Sequence, residues 1–135
     1  MMNRHLTIFI ALLLLYSCKG LFGQKIPDPI VKAFNAADVE ALSGYFHMRL
    51  QVNISDSDYM CSRSQAKEIM REFFTNNKPS SFSFIFEGGK EDSNFSIGTL
   101  VTSSGNYRVN IFFRKFEGEY LIHLLRIEKD DTKSF

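Results

Sequence analysis

The chain has 135 residues, with 16 Lys and Arg against 15 Asp and Glu and a formal charge of +1, a length that suits one core and leaves too little for a second. So even a balance disfavours a nucleic-acid partner, because neutralising phosphates takes a basic surplus on at least one face and no run of Lys or Arg supplies it. The burial falls to phenylalanine, with 14 Phe and no Trp, since large rings supply most of what a small domain needs to bury.

Residues 1–23 read as an export signal. Arg4 and His5 make a short polar start, residues 7–16 are almost entirely apolar, and small or polar residues follow. About ten apolar residues cannot span a bilayer, which takes roughly 20, so the segment is one that is processed rather than one that anchors. Two cleavages compete in "LYSCKGLFGQ", residues 15–24. Lipoprotein processing at Cys18 is favoured by Leu15 and Ser17 and opposed by the bulky Tyr16. Ordinary cleavage after Gly23 leaves Gln24 as the new terminus. A folded domain starting near Ile26 would leave a Cys18 anchor only about eight residues of tether, so the adopted reading discards Cys18 and takes residues 24–135 as a single domain. The chain is then expected outside the cytoplasm, periplasmic or secreted. The alternative is an outer-membrane lipoprotein, with membrane contact only if Cys18 is lipidated. Cleavage after Gly23 removes Arg4 and Lys19 and no acid, leaving 14 Lys and Arg, 15 Asp and Glu, a net charge of −1 and 12 of the 14 Phe. Cys61 is then the one remaining cysteine, unable to form an internal disulfide, and reads as a small residue in a turn.

"PDPIVKAFNAADVEALSGYF", residues 27–46, reads as two short helical pieces. Asp28 caps and Pro29 starts the first, with Ile30, Val31 and Phe34 on one face; the break falls at Ala36 and Ala37, and Asp38 caps a second turn carrying Val39, Leu42 and Phe46. In "RLQVNIS" Leu50, Val52 and Ile54 alternate as in a half-buried strand, and "SDSDY" reads as a polar turn. "SRSQAKEIMREFFTNNKP" predicts the longest helix: Ser62 and Gln65 form a capping box, Ala66, Ile69, Met70, Phe73 and Phe74 share a face, and Asn76, Asn77 and Pro79 stop it. From residue 80 the period becomes two. Phe82, Phe84 and Phe86 fall on one side of a strand, and three more strands follow, joined at Ser104-Gly105 and Glu117-Gly118, as an antiparallel four-strand meander.

Helices segregated from a mostly antiparallel sheet define the α+β class. The element order and "AADVEALSGYF", with Ala37-Asp38 where members often have a Gly-Asp break, resemble the nuclear transport factor 2-like (cystatin-like) superfamily. "YMCSRSQAKEIMREFF", "SIGTLVTSSGNYRVNIFF" and "LIHLLRIEK" resemble, more narrowly, an uncharacterised family of secreted Bacteroidetes proteins that carries a domain of unknown function. The resemblance covers roughly residues 26–129. It implies a curved sheet wrapped around short helices as a cone, and its motifs are structural rather than chemical.

In enzymes of that superfamily the cone holds a polar pair for acid–base work, and no residues matching the steroid isomerase set are recognisable here. A general base wants His, or a carboxylate raised by burial. Asp38 and Glu40 look like helix-start residues, Asp56 and Asp58 sit in a turn, and Glu87 ends a strand beside Gly88 and Gly89. His123, between Leu121 and Leu125, is the one candidate catalytic residue, as base or ligand in a cone pocket. No Ser, Cys or Asp is spaced as its partner, and a lone His among aliphatic neighbours is more often structural. Three histidines without an i, i+4 pair point to no metal, and no cofactor is expected.

If both turns are two-residue turns, Tyr107, Val109, Ile111, Phe113, Ile122 and Leu124 share one side. Phe95, Ile97, Val101, Phe112, Leu121, His123, Leu125 and Ile127 then share the other, with Arg108 and Arg114 interspersed. A solvated antiparallel face normally alternates to polar, and three helices cover only one side. The expected function is therefore a non-catalytic module that holds a small apolar ligand or forms a homodimer, with Tyr107, Val109, Ile111, Phe112, Phe113, Leu121, His123 and Leu125 as the pocket or interface set. The alternative is a hydrolase or isomerase using His123.

Overall fold

The computed structural model describes residues 28–131. The expected export signal, Cys18 and the expected Gln24 start lie outside the described residues, as does the side chain of Asp28. In chain order the elements are α1 (Asp28–Ala36), α2 (Val39–Ser43), β1 (Phe46–Ile54), β2 (Ser57–Ser62), α3 (Arg63–Asn76), β3 (Pro79–Lys90), β4 (Ser93–Thr102), β5 (Gly105–Phe116) and β6 (Glu119–Lys129). The six strands form one curved sheet in the order β2-β1-β6-β5-β4-β3, antiparallel except where β1 lies parallel to β6.

Local chemistry places the helices. Ala37 ends α1 with φ 53°, a left-handed conformation that costs an alanine about 1–2 kcal/mol, and Asp38 then restarts the helix by accepting the Ala41 N–H at 3.1 Å. The α3 capping box is complete: the Gln65 N–H donates to Ser62 Oγ at 3.2 Å, and the Ser62 N–H donates to Gln65 Oε1 at 2.9 Å. Glu40 pairs with Lys67 at 2.5 Å and Arg71 at 3.2 Å, joining α2 to α3. Both contacts are exposed and add little stability.

The segment read as a polar turn is mostly strand. Ser57–Ser62 pairs along β1 from Ile54↔Ser57 to Arg49↔Ser62, and Cys61 is buried in it beside Leu50, not in a turn. Five of its six residues are exposed, so this edge strand shows no alternation for a sequence pattern to reveal.

The three helices lie on one sheet face. Ile30, Phe34, Leu42, Met70, Phe73 and Phe74 join Leu50, Val52, Val109, Ile111, Leu125 and Ile127 in one cluster. Phe34 stacks on Phe82 at 4.5 Å and meets Phe74 edge-on at 6.0 Å. Truncating a buried Phe to Ala typically costs about 3–5 kcal/mol.

Two bulges decide which side chains face that core. Along β5 and β6, Phe113 pairs with Ile122 but Phe112 pairs with Leu124, so β6 spends two residues, His123 and Leu124, opposite one. Beyond the bulge the parity reverses: Leu125 and Ile127 turn into the core, fully buried, and Leu124 turns out. This overturns the placement of Leu124 with Val109 and Ile111, and of Leu125 and Ile127 on the outer side. Along β3 and β4, Phe84 pairs with Gly98 and Phe86 with Ile97, leaving Ile85 extra. Phe86 thus joins the outer face rather than sharing a side with Phe82. The Glu117-Gly118 turn carries positive φ at both central residues, 48° and 85°, as a two-residue hairpin of right-handed twist requires. The β4–β5 turn centres on Ser103 and Ser104, since Thr102 pairs with Gly105. That shift of two residues in register keeps the parity, and with it the faces.

Gly98 sits under the Phe82 ring: a Cβ there would lie 2.7 Å from Phe82 Cζ and 3.0 Å from the Ser83 carbonyl oxygen. Gly98→Ala is expected to lower stability by about 1–3 kcal/mol through overpacking, read as a lower urea midpoint at unchanged slope. An unchanged midpoint contradicts this packing.

Candidate ligand depression on the outer sheet face

Opposite the helices the register aligns a row of rings across four strands. Phe86 lies 5.5 Å from Phe95, Phe95 stacks with Phe112 at 6.1 Å and an interplanar angle of 24°, and Phe112 meets His123 edge-on at 6.4 Å. Each step comes from pairing. Phe95 faces Phe112 directly, the β6 bulge brings His123 beside Phe112, and the β3 bulge delivers Phe86. Gly88, paired with Phe95, carries no side chain to cover that ring, and a Cβ there would meet it at 3.0 Å.

Phe95, Phe112 and His123 of this row floor a depression of ≈ 550 Å³ whose lining also includes Lys90, Ser93, Asn94 and Arg114. That volume falls within the range of small-molecule sites, about 300–1,000 Å³. A second hollow, between α3 and the β1–β2 pair and lined by Ile54, Tyr59, Ile69 and Phe73 among others, is smaller at ≈ 240 Å³.

The expected site residues divide between the faces. Tyr107, Val109, Ile111, Phe113 and Leu125 are buried in or beside the helix-covered core, so they are not exposed interface residues, although Phe113 also borders the depression. Phe112, Leu121 and His123 lie on the outer face, all three half-buried. Lys90, Ser93 and Asn94 were missed, and their signal was weak: polar residues beside a strand end read as a turn. Arg114 was noted only as interspersed charge.

His123 therefore does not sit in a cone pocket beneath the helices. Its Nδ1 is buried without a hydrogen-bond partner. Burial pushes the imidazole below its ordinary pKa, and the charges of Arg114 and His47 push it the same way. His47 itself stacks on Phe116 at 3.8 Å with Nδ1 3.0 Å from the Arg49 carbonyl oxygen. Among the described residues no Asp or Glu lines the depression, and Glu91 and Asp92 line the adjoining hollow beyond Lys90; an acid–base mechanism would need such a group beside His123. Among the described residues, no group of three or more His, Cys, Asp or Glu is placed to hold a metal ion. Cys61 is a poor nucleophile, since burial raises its thiol pKa.

The lowered His123 pKa has a definite sign in stability. Below the unfolded value, near 6.5, the unfolded chain binds a proton that the native state resists, so stability falls as pH drops through that region. Urea midpoints between pH 7.5 and 5.5 should fall for the native chain and fall less for His123→Leu. An equal slope in both chains contradicts a desolvated His123.

The geometry agrees with what the chain is similar to. A family profile described as "Domain of unknown function (DUF4783)" matches residues 27–128. A DUF4783 family protein from Bacteroides ovatus is 37% identical, with a TM-score of 0.77 over 82% of this chain and 100% of that one. Two solved structures share the fold alone. One is a variant of the Rd1NTF2 series, at 13% identity and TM-score 0.60 over 74% of this chain and 90% of that one. The other is a Nostoc punctiforme protein of unknown function with a cystatin-like fold, at 15% identity and TM-score 0.56 over 78% and 86%. Comparison with curated proteins gave no match. The fold is thus nuclear transport factor 2-like and cystatin-like, and the chain belongs to the DUF4783 family.

Proposed function

We propose that the domain is a non-catalytic binding module that works outside the cytoplasm and takes a small ligand with an apolar body in the outer-face depression. The observation that supports this reading is the row Phe95, Phe112 and His123, half-buried on the face opposite the helices and bordering a hollow of ligand size, with Phe86 exposed beside Phe95. A sheet face left to water alone alternates to polar residues, and contiguous apolar surface of this kind marks binding sites. A binding role also suits a histidine held neutral and without a carboxylate partner, since such a ring offers a flat apolar wall rather than proton transfer. Export remains part of the proposal on the strength of residues 1–23.

A second copy of the chain is the rival occupant, favoured by Ile85 and Phe86, which are 60% and 53% exposed at the edge strand β3. One titration separates the two. At about 0.3 kcal/mol per heavy atom, 2-naphthalenemethanol, a neutral probe, should bind with Kd on the order of 1 mM. Amide shift changes should centre on Phe95, Phe112 and His123, and light scattering on the same sample should read a monomer. Ser93→Trp, which fills the hollow from an exposed position, should abolish the shifts. Shifts clustered on α1–α3, or none at all, refute the depression as the site. A dimeric mass with shifts suppressed by protein concentration assigns the face to self-association instead.

A further inference from the structure

The depression pairs its apolar floor with charge of one sign. Lys90 enters from β3 and Arg114 from β5, two strands apart and on either side of Ser93, which pairs directly with both. Neither makes an ion pair among the described residues, a condition they share with several other surface cations such as Lys78 and Lys115. Among the described residues the lining itself holds no Asp or Glu; Glu91 and Asp92 follow Lys90 in the β3–β4 turn and line the adjoining hollow instead. Ser93 and Asn94 line the same rim as polar residues, the Asn94 amide donating to the Ser93 and Lys90 carbonyl oxygens. A guanidinium offers paired donors that match an oxyanion, and a lysine adds a point charge.

From this juxtaposition we infer that the ligand class is a small organic anion: a planar apolar body lying along Phe95, Phe112 and His123, with a carboxylate-type head held between Arg114 and Lys90. The inference rests on the binding reading above and narrows it. A neutral body alone would leave the two exposed cations to solvent and use neither. A cationic ligand would be repelled. The groups facing His123 are Arg114 from β5 and His47 from β1, with Lys90 across the hollow on β3. An anion seated there offsets the positive field that disfavours the imidazolium, so binding and His123 protonation favour each other.

The test compares 2-naphthoate with its neutral near-isostere 2-naphthalenemethanol on the full mature chain, by NMR titration at low salt. The naphthoate should bind at least tenfold more tightly. Added salt should erode its advantage and leave the alcohol unaffected. The double variant Lys90→Gln, Arg114→Gln should bring the two affinities together, chiefly by weakening naphthoate. These side chains are exposed and hold no partner, so the variant should fold. The His123 pKa, followed by its ring proton, should rise on binding naphthoate and stay put on binding the alcohol. Equal affinities for both probes, unchanged in the double variant, overturn the anion assignment and leave the binding site standing. Failure of both probes to bind overturns the two together.

Discussion

One extra residue in β6 sets the character of both sheet faces. Side chains in a strand alternate, so inserting a single residue exchanges inside for outside along everything that follows. At His123 and Leu124, opposite Phe112, that exchange sends Leu125 and Ile127 under the helices, where both are fully buried. Without it, Leu125 and Ile127 would face outward and Leu124 and Arg126 would point at Phe34, Met70 and Phe73. Burying an unpaired guanidinium is far costlier than burying isoleucine. The bulge at Ile85 performs the same exchange on β3, moving Phe86 across the sheet from Phe82. The two bulges thus complete the core on one face and the ring row on the other.

The same constraint places rings and charge together on the outer face. His123 arrives there because it is part of the bulge, and its surroundings are rings and cations rather than carboxylates. Such an environment keeps imidazole neutral and leaves a general base without an orienting partner. On the proposed reading these groups serve recognition, flat rings selecting shape and fixed charge selecting sign. The inner face follows the opposite logic, with tight ring packing around Phe34 and Phe82 and backbone so close that Gly98 has no room for a methyl group.

Much of the fold was legible in the chain because its signals are local. The Ser62–Gln65 capping box, the Asp38 cap after Ala37, the positive-φ turn at Glu117-Gly118 and the inward set Tyr107, Val109, Ile111 and Phe113 all follow from residue type at fixed spacing. What escaped has no local signature. β2 is an exposed edge strand, so "SDSDYMCS" lacks the alternation that marks a half-buried one. A bulge adds one residue without changing composition, so Leu124, Leu125, Ile127 and Phe86 were assigned to the wrong faces by a rule that is correct between bulges. The ring row and its charged rim follow from register, and Lys90 and Arg114, 24 positions apart in sequence, become neighbours of one hollow only through β4.

The most direct measurement is the cross-strand NOE pattern between β5 and β6 in the isotope-labelled protein. The account predicts backbone contacts joining Phe113 to Ile122, Ile111 to Leu125 and Val109 to Ile127, with His123 unpaired and its ring protons near Phe112. Contacts joining Ile111 to Leu124 and Phe112 to His123 in uninterrupted register would contradict it, returning Leu125 to the outer face and dissolving the division on which the depression is built.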